Sequence, residues 1–170
     1  SGRVNPAARL PMTWYRKDED LADINDYDII KGKRTYQYFD RRVLYPFGYG
    51  LSYTDFVYGE LQISSETLPK NGELTVSVTV TNKGNYDGYE TVQLYLRDIY
   101  AEVARPMKEL KGFERIFLKS GESRDVKFVI TKDDLKFYNS ELHYVYEPGE
   151  FDVMVGPNSR DVQTKSFQAE

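Results

Sequence analysis

At 170 residues, 40% of them hydrophobic and 29% charged, the chain has the makeup of one globular domain with a real core plus a sizeable extension. Its net charge of -4 gives no basic footprint for nucleic acid, and no apolar run approaches the roughly 20 residues a helix needs to cross a bilayer. With no cysteine, disulfides and thiolate metal sites are excluded. The opening SGRVNPAARL lacks the apolar stretch of a secretory leader. A piece beginning inside a longer protein would lack it too, so the compartment is left open.

Residues 1–45 show no sustained periodicity and read as an extended arm. Asp18, Glu19, Asp20, Asp23, Asp26 and Asp28 crowd its first part, and Lys31, Lys33, Arg34, Arg41 and Arg42 its second, the layout of a solvated connector. Structureless segments beyond about 12 to 15 residues are uncommon inside compact domains. An arm of this length therefore implies a surface to lie against. Next comes YPFGYGLSYTDF, residues 45–56, where five rings surround Gly48 and Gly50. Rings bury large areas at low rotamer cost and glycine permits close backbone approach, so this run reads as a junction threading between packed surfaces.

From about residue 55 the pattern becomes strict alternation. In ELTVSVTVTN, Leu74, Val76, Val78 and Val80 share one face, while Thr75, Ser77, Thr79 and Thr81 share the other, which is the period of a half-buried strand. Val92, Leu94 and Leu96 repeat it, as do Val126, Phe128 and Ile130, and Phe151, Val153 and Val155. Turn signals at Asn71-Gly72, Asp87-Gly88, Ser120-Gly121, Pro148-Gly149 and Gly156-Pro157 separate the runs. The expectation is seven or eight short antiparallel strands, each hiding one face, over 56–63, 73–82, 89–98, 110–118, 124–131, 142–146, 150–155 and 162–167. A short helical turn is expected over 132–135 behind an N-capping Thr131. That count points to an all-β, immunoglobulin-like antiparallel sandwich with an extended N-terminal arm. The expected division is an arm over 1–45, closing a preceding domain, and a sandwich over 46–170.

Candidate chemistry is sparse. Retaining glycoside hydrolysis needs two carboxylates about 5 to 5.5 Å apart, and nothing here places such a pair. The acidic run from Asp18 has Ala22 and Ile24 where a calcium loop needs a ligand and a glycine. His143 is the only histidine and falls in a strand pattern, and Ser52 lacks the closing glycine of a nucleophile elbow. The glycines of GYGLSY precede no helix that would offer its N-terminus to a phosphate. No catalytic, cofactor-binding or metal-binding residue is assigned.

Together with GKRTYQYF (32–39), LKGF (110–113) and EPGEFDVMVG (147–156), the aromatic run resembles the C-terminal end of glycoside hydrolase family 3 enzymes. NPAARLPMTWY (5–15) is similar to the segment closing that family's second domain, with Ala8 standing where glycine is usual. The resemblance spans nearly the whole chain. It implies a fibronectin type III-like domain in a retaining β-glucosidase or β-xylosidase, acting on terminal non-reducing residues. It also implies that the nucleophilic aspartate and the acid/base lie upstream, in a barrel and a second domain. The catalytic domains of the parent chain become the expected partners, with substrate reached only through them. Arg34, Tyr36 and Tyr38 are then candidates for the rim of a neighbouring active site. Tyr36, Tyr38, Phe39, Tyr45, Phe47, Tyr49, Tyr53, Phe56 and Tyr58 are read as packing rings, the alternative being an open platform that targets polysaccharide.

Overall fold

The computed structural model describes residues 4–170; Ser1, Gly2 and Arg3, the start of the segment read above for a leader, lie outside the described residues. Among the described residues, eleven strands follow a short helix, α1 (Thr35–Tyr38): β1 (Phe56–Tyr58), β2 (Gln62–Ile63), β3 (Thr67–Leu68), β4 (Leu74–Asn82), β5 (Gly88–Asp98), β6 (Glu109–Leu118), β7 (Ser123–Ile130), β8 (Phe137–Tyr138), β9 (Tyr144–Val145), β10 (Gly149–Gly156) and β11 (Gln163–Ala169). In one sheet β4 is central, with β7 along one edge and β1 and β2 sharing the other. The second sheet runs β3-β11-β10-β5-β6, and β8 and β9 form a small hairpin. No helix of the described residues is long and apolar enough to cross a membrane.

The alternating faces meet as the periodicity predicts. Leu74, Val76, Val78 and Val80 of β4, with Val126 and Ile130 of β7, pack against Val92, Leu94, Leu96, Ile116, Phe151, Val153, Val155 and Phe167 of the other sheet. Each fully buried aliphatic side chain contributes about 1.5 to 3 kcal/mol before ordering entropy is counted. After β7, Lys132–Leu135 forms a single 3-10 turn. The Asp134 carboxylate accepts from the Thr131 amide at 2.8 Å and from its hydroxyl at 2.9 Å, a reciprocal capping arrangement.

Four expectations need correction. The strand over 56–63 is broken in two, because the Gln163 side chain of β11 takes the place of the ladder there. Its Oε1 accepts from the Leu61 amide at 3.0 Å and its Nε2 donates to the Gly59 carbonyl at 2.6 Å, while Leu61 turns into the core at 1% exposure. The strand over 142–146 shrinks to the two residues of β9, since the Asn139 carboxamide captures the amides of Glu141 and His143 in a turn. The pairing is not antiparallel throughout: β3, unforeseen, lies parallel to β11 through Thr67↔Gln168 and Leu68↔Ala169. Finally, β5 hides both faces. Gln93 and Tyr95 point away from the core yet are 3% and 0% exposed, because the arm covers that side of the sheet.

One buried polar side chain joins strand, turn and junction. Asn82, fully buried at the end of β4, accepts from the Thr54 hydroxyl at 2.6 Å and the Gly84 amide at 3.1 Å. It donates to the carbonyls of Tyr86 at 2.8 Å and Leu118 at 3.2 Å. Removing one partner of a buried set leaves the others unsatisfied. Asn82→Ala is therefore expected to lose about 2 to 3 kcal/mol, read as a lower urea midpoint with an unchanged slope.

Candidate functional site

The arm folds back on itself before it meets the sandwich. Leu10 and Gly48 hold this ribbon at one end, Leu10 donating to the Tyr49 carbonyl and Gly48 to the Leu10 carbonyl, each at 2.8 Å. Trp14 holds the other, donating to the Tyr45 carbonyl at 2.9 Å. The aspartates in between are spent on backbone. Asp23, Asp26 and Asp28 accept amides two or three residues ahead of them, the local turns short acidic side chains favour. Amide donation from Asp28 and the Lys31 ammonium hold the Asp26 carboxyl below the usual carboxylate range. The acidic and basic halves of the arm close on each other through Arg41–Asp20 at 3.0 Å and Lys31–Asp26 at 3.1 Å, and Lys33 pairs with Asp40 within the second half.

Where the returning limb crosses β5, the junction is built on Gln93. Its Nε2 donates to the carbonyls of Gly48 at 3.2 Å and Pro157 at 2.6 Å, and its Oε1 accepts the Tyr95 hydroxyl at 2.5 Å. Burial raises the Tyr95 phenol well beyond its ordinary range, so it stays a neutral donor. Gly48 sits at φ 80, a left-handed backbone, and a Cβ there would run into the Gln93 carboxamide. Tyr36 stacks on Phe47 with centroids 4.2 Å apart and meets Tyr95 edge-on at 5.9 Å, while its hydroxyl accepts the Leu110 amide at 3.2 Å. Backbone bonds from Met107 to Gln37 at 2.8 Å and from Ser159 to Phe47 at 2.9 Å complete the seam.

A second anchor lies under the start of the arm. Arg9 pairs with Glu90 at 2.5 Å, the two side chains 13% and 3% exposed, and the Tyr58 hydroxyl donates to the other Glu90 oxygen at 2.8 Å. Burial pushes the Glu90 carboxyl above its usual value, against the pull of Arg9 and Tyr58. Burial beside Glu90 lifts the Tyr58 phenol far above its ordinary range. Asn5 exchanges hydrogen bonds with the Ser52 hydroxyl at 3.0 and 3.2 Å and accepts the Tyr53 amide at 2.8 Å, which occupies Ser52 structurally.

The rim candidates divide. Arg34 folds inward, its Nη2 donating to the carbonyls of Asp23 at 2.7 Å and Asp26 at 2.6 Å. Tyr36 is inside the seam. Tyr38 is half-buried near Arg105 and Glu109, its phenol raised by burial. Between Arg34 and Tyr36 sits Thr35 at φ 63, a costly backbone for a β-branched residue, with its amide given to the Tyr15 hydroxyl at 2.9 Å. His143 is largely exposed in the turn before β9, 3.5 Å from Glu141. Most of the aromatic set is packed: Tyr36 stacks on Phe47 and Tyr15 meets Phe39 at 4.8 Å, whereas Tyr45, stacked on Tyr49 at 5.0 Å, and Tyr53 stand exposed. Among the described residues, no three His, Cys, Asp or Glu side chains gather as a metal site. The residues that organise the junction, Arg9, Glu90 and Gln93, were not singled out from the sequence. Glu90 did carry a signal, since it shares the inward parity of Val92, Leu94 and Leu96.

This combination of a doubled-back aromatic arm and a two-sheet sandwich has close parallels. Residues 1–53 match the glycosyl hydrolase family 3 C-terminal domain, and residues 90–159 match the fibronectin type III-like domain. The chain belongs to glycoside hydrolase family 3. It is 42% identical over 177 residues to a periplasmic β-glucosidase of Salmonella typhimurium, covering 98% of this chain and 23% of that protein. It is 44% identical over 171 residues to a β-xylosidase of Formosa agariphila, covering 98% and 24%. A β-glucosidase structure from Erythrobacter marinus superposes with a TM-score of 0.84 at 38% identity, over 99% of this chain and 22% of that one. The family 3 chain described here thus spans about a quarter of the length of the relatives it matches and corresponds to their C-terminal portion.

Proposed function

We propose that this chain is the non-catalytic C-terminal part of a β-glycosidase whose complete polypeptide removes terminal non-reducing β-D-glucosyl or β-D-xylosyl residues with retention. Residues 1–45 close the preceding domain and run as the connecting arm; residues 46–170 are the sandwich. The arm fastens the sandwich to the catalytic domains and so holds their spacing. The observation that carries this reading is the two-sidedness of the arm. Its inner side is pinned to the sheet through Gln93, Tyr36 and Glu90, while Met12, Trp14, Leu21, Ile24, Tyr27 and Ile29 stand exposed on the same segment. An apolar surface of this extent fits further protein.

The chain alone is expected to release no chromophore from p-nitrophenyl β-glucoside or β-xyloside. Adding the separately expressed preceding portion of the polypeptide is expected to produce turnover and a higher melting temperature. Turnover by the chain alone, in proportion to its concentration and surviving repurification, would sink the proposal. A polysaccharide-targeting role draws on a different surface: Tyr89 and Phe117, with centroids 4.9 Å apart, and Phe113 are exposed on β5 and β6, with Arg115 over the Tyr89 ring at 4.0 Å. Retention on insoluble xylan or glucan, lost in Phe113→Ala/Phe117→Ala, is the result that role requires.

A further inference from the structure

Between the returning limb of the arm and strands β5 and β10 lies an open cleft of about 440 Å3. Its charge is lopsided: Arg41, Arg42, Arg97, Lys108 and Arg160 line it, against two carboxylates, Asp40 and Asp152. Asp40 pairs with Lys33, and Asp152 accepts the Ser166 hydroxyl at 2.7 Å while standing across the β5–β10 ladder from Arg97. Two of the cations are engaged as well, Arg41 by Asp20 and Arg160 by Asp161. Arg42, Arg97 and Lys108 have no ion-pair partner among the described residues. Lys108 is held by a single bond from its ammonium to the Ser159 carbonyl at 2.6 Å. Burial and the neighbouring Arg97 both work against its charge. A cleft whose five cations outnumber its two carboxylates is one that an oxyanion would help to neutralise.

Size and lining narrow the class. Small-molecule sites run from about 300 to 1,000 Å3, far more than a bare inorganic anion fills. Tyr36, Phe39, Met107 and Met154 add an apolar stretch of wall, the kind of surface the CH face of a sugar ring meets. We propose that this cleft binds a monosaccharide-sized oxyanion, a sugar acid or a sugar phosphate, with Arg42, Arg97 and Lys108 on the charged group and the apolar wall on the ring.

Titration calorimetry of the 170-residue chain at low ionic strength, with D-glucuronate, glucose 6-phosphate, inorganic phosphate and glucose as separate probes, tests it. At least one sugar anion is expected to bind at a single saturable site, and whichever binds more tightly names the head group. Glucose and inorganic phosphate are expected to bind at least about tenfold more weakly, and affinity is expected to fall as salt is added. Arg97→Gln and Arg42→Gln should each weaken binding about tenfold with the melting temperature unchanged, and Lys119→Gln, away from the cleft, should not. Equal binding of glucose, equal binding of inorganic phosphate, no binding of either sugar anion, or indifference to Arg97→Gln would each overturn the proposal. So would loss of binding in a longer polypeptide carrying the preceding domains, since the cleft would then be filled by protein.

Discussion

Arg9→Met is expected to destabilise the chain by about 3 to 5 kcal/mol at neutral pH, because it strands the Glu90 carboxylate in the interior with no cation to balance it, only neutral donors such as the Tyr58 hydroxyl. The loss should depend on pH in a defined direction. Burial already raises the folded-state value of Glu90 above its unfolded value, so across the window between the two the folded state binds the proton more readily. Stability contributed by this group therefore falls as pH rises through that window, and the penalty is complete above it. Without Arg9 the folded value climbs further and the window widens upward. The deficit of Arg9→Met relative to the parent should narrow toward mildly acid pH. Adding Glu90→Gln, which removes the charge and keeps an acceptor for Tyr58, should restore most of the loss at pH 7. Urea unfolding at pH 5 and pH 7 for the single and double variants measures this. A deficit equal at both pH values, and unaffected by Glu90→Gln, would show that Arg9 acts through packing alone.

Gly48→Ala is the second large effect, expected at about 3 to 5 kcal/mol. A left-handed backbone costs a non-glycine residue about 1 to 2 kcal/mol, and displacement of the Gln93 carboxamide breaks buried hydrogen bonds worth about 1 kcal/mol each or more. The damage is local to the seam. Trp14, the sole tryptophan, sits on the arm with its ring edge-on to Tyr45 at 6.2 Å, whereas far-UV circular dichroism is dominated by the sheets. In the parent the two signals should unfold together. In Gly48→Ala the Trp14 fluorescence transition is expected at lower urea than the dichroism transition, a separation that ends two-state behaviour. Coincident, equally shifted transitions would mean that arm and sandwich unfold as one unit despite the broken seam.

The sandwich was legible because its long strands carry their own signal. The alternation of Leu74 to Val80, Val92 to Leu96 and Phe151 to Val155 is a local property, and it dictated which side chains meet in the core. Strands β3 and β8 were not legible. Each has two residues, too few to show a period, and β3 exists only because distant β11 pairs with it. Gln93 and Tyr95 look like the wet face of β5 when the strand is read by itself. They are dry because Tyr36 and Phe47, about fifty residues earlier in the chain, lie across them. The aromatic run announced a junction, yet its keystone is a glutamine, and nothing around Gln93 in sequence separates it from an ordinary exposed strand residue. The cationic cleft was hidden for the same reason, since Arg42 and Arg97 become neighbours of one cavity only through the fold.

The seating of β11 between β3, to which it runs parallel, and antiparallel β10 has a consequence for how the protein is made. The β5–β6 hairpin joins neighbours in sequence and can assemble while the ribosome is still adding residues. β3 must wait: its strand partner among the described residues is β11, which pairs Thr67 with the far later Gln168, and Glu170 donates to the Leu68 carbonyl at 3.0 Å. Contacts of such long sequence separation form slowly. A nascent polypeptide stalled or clipped before Gln163 would expose Leu68 and Phe151 together, the moment in its synthesis at which a chaperone would have most to hold.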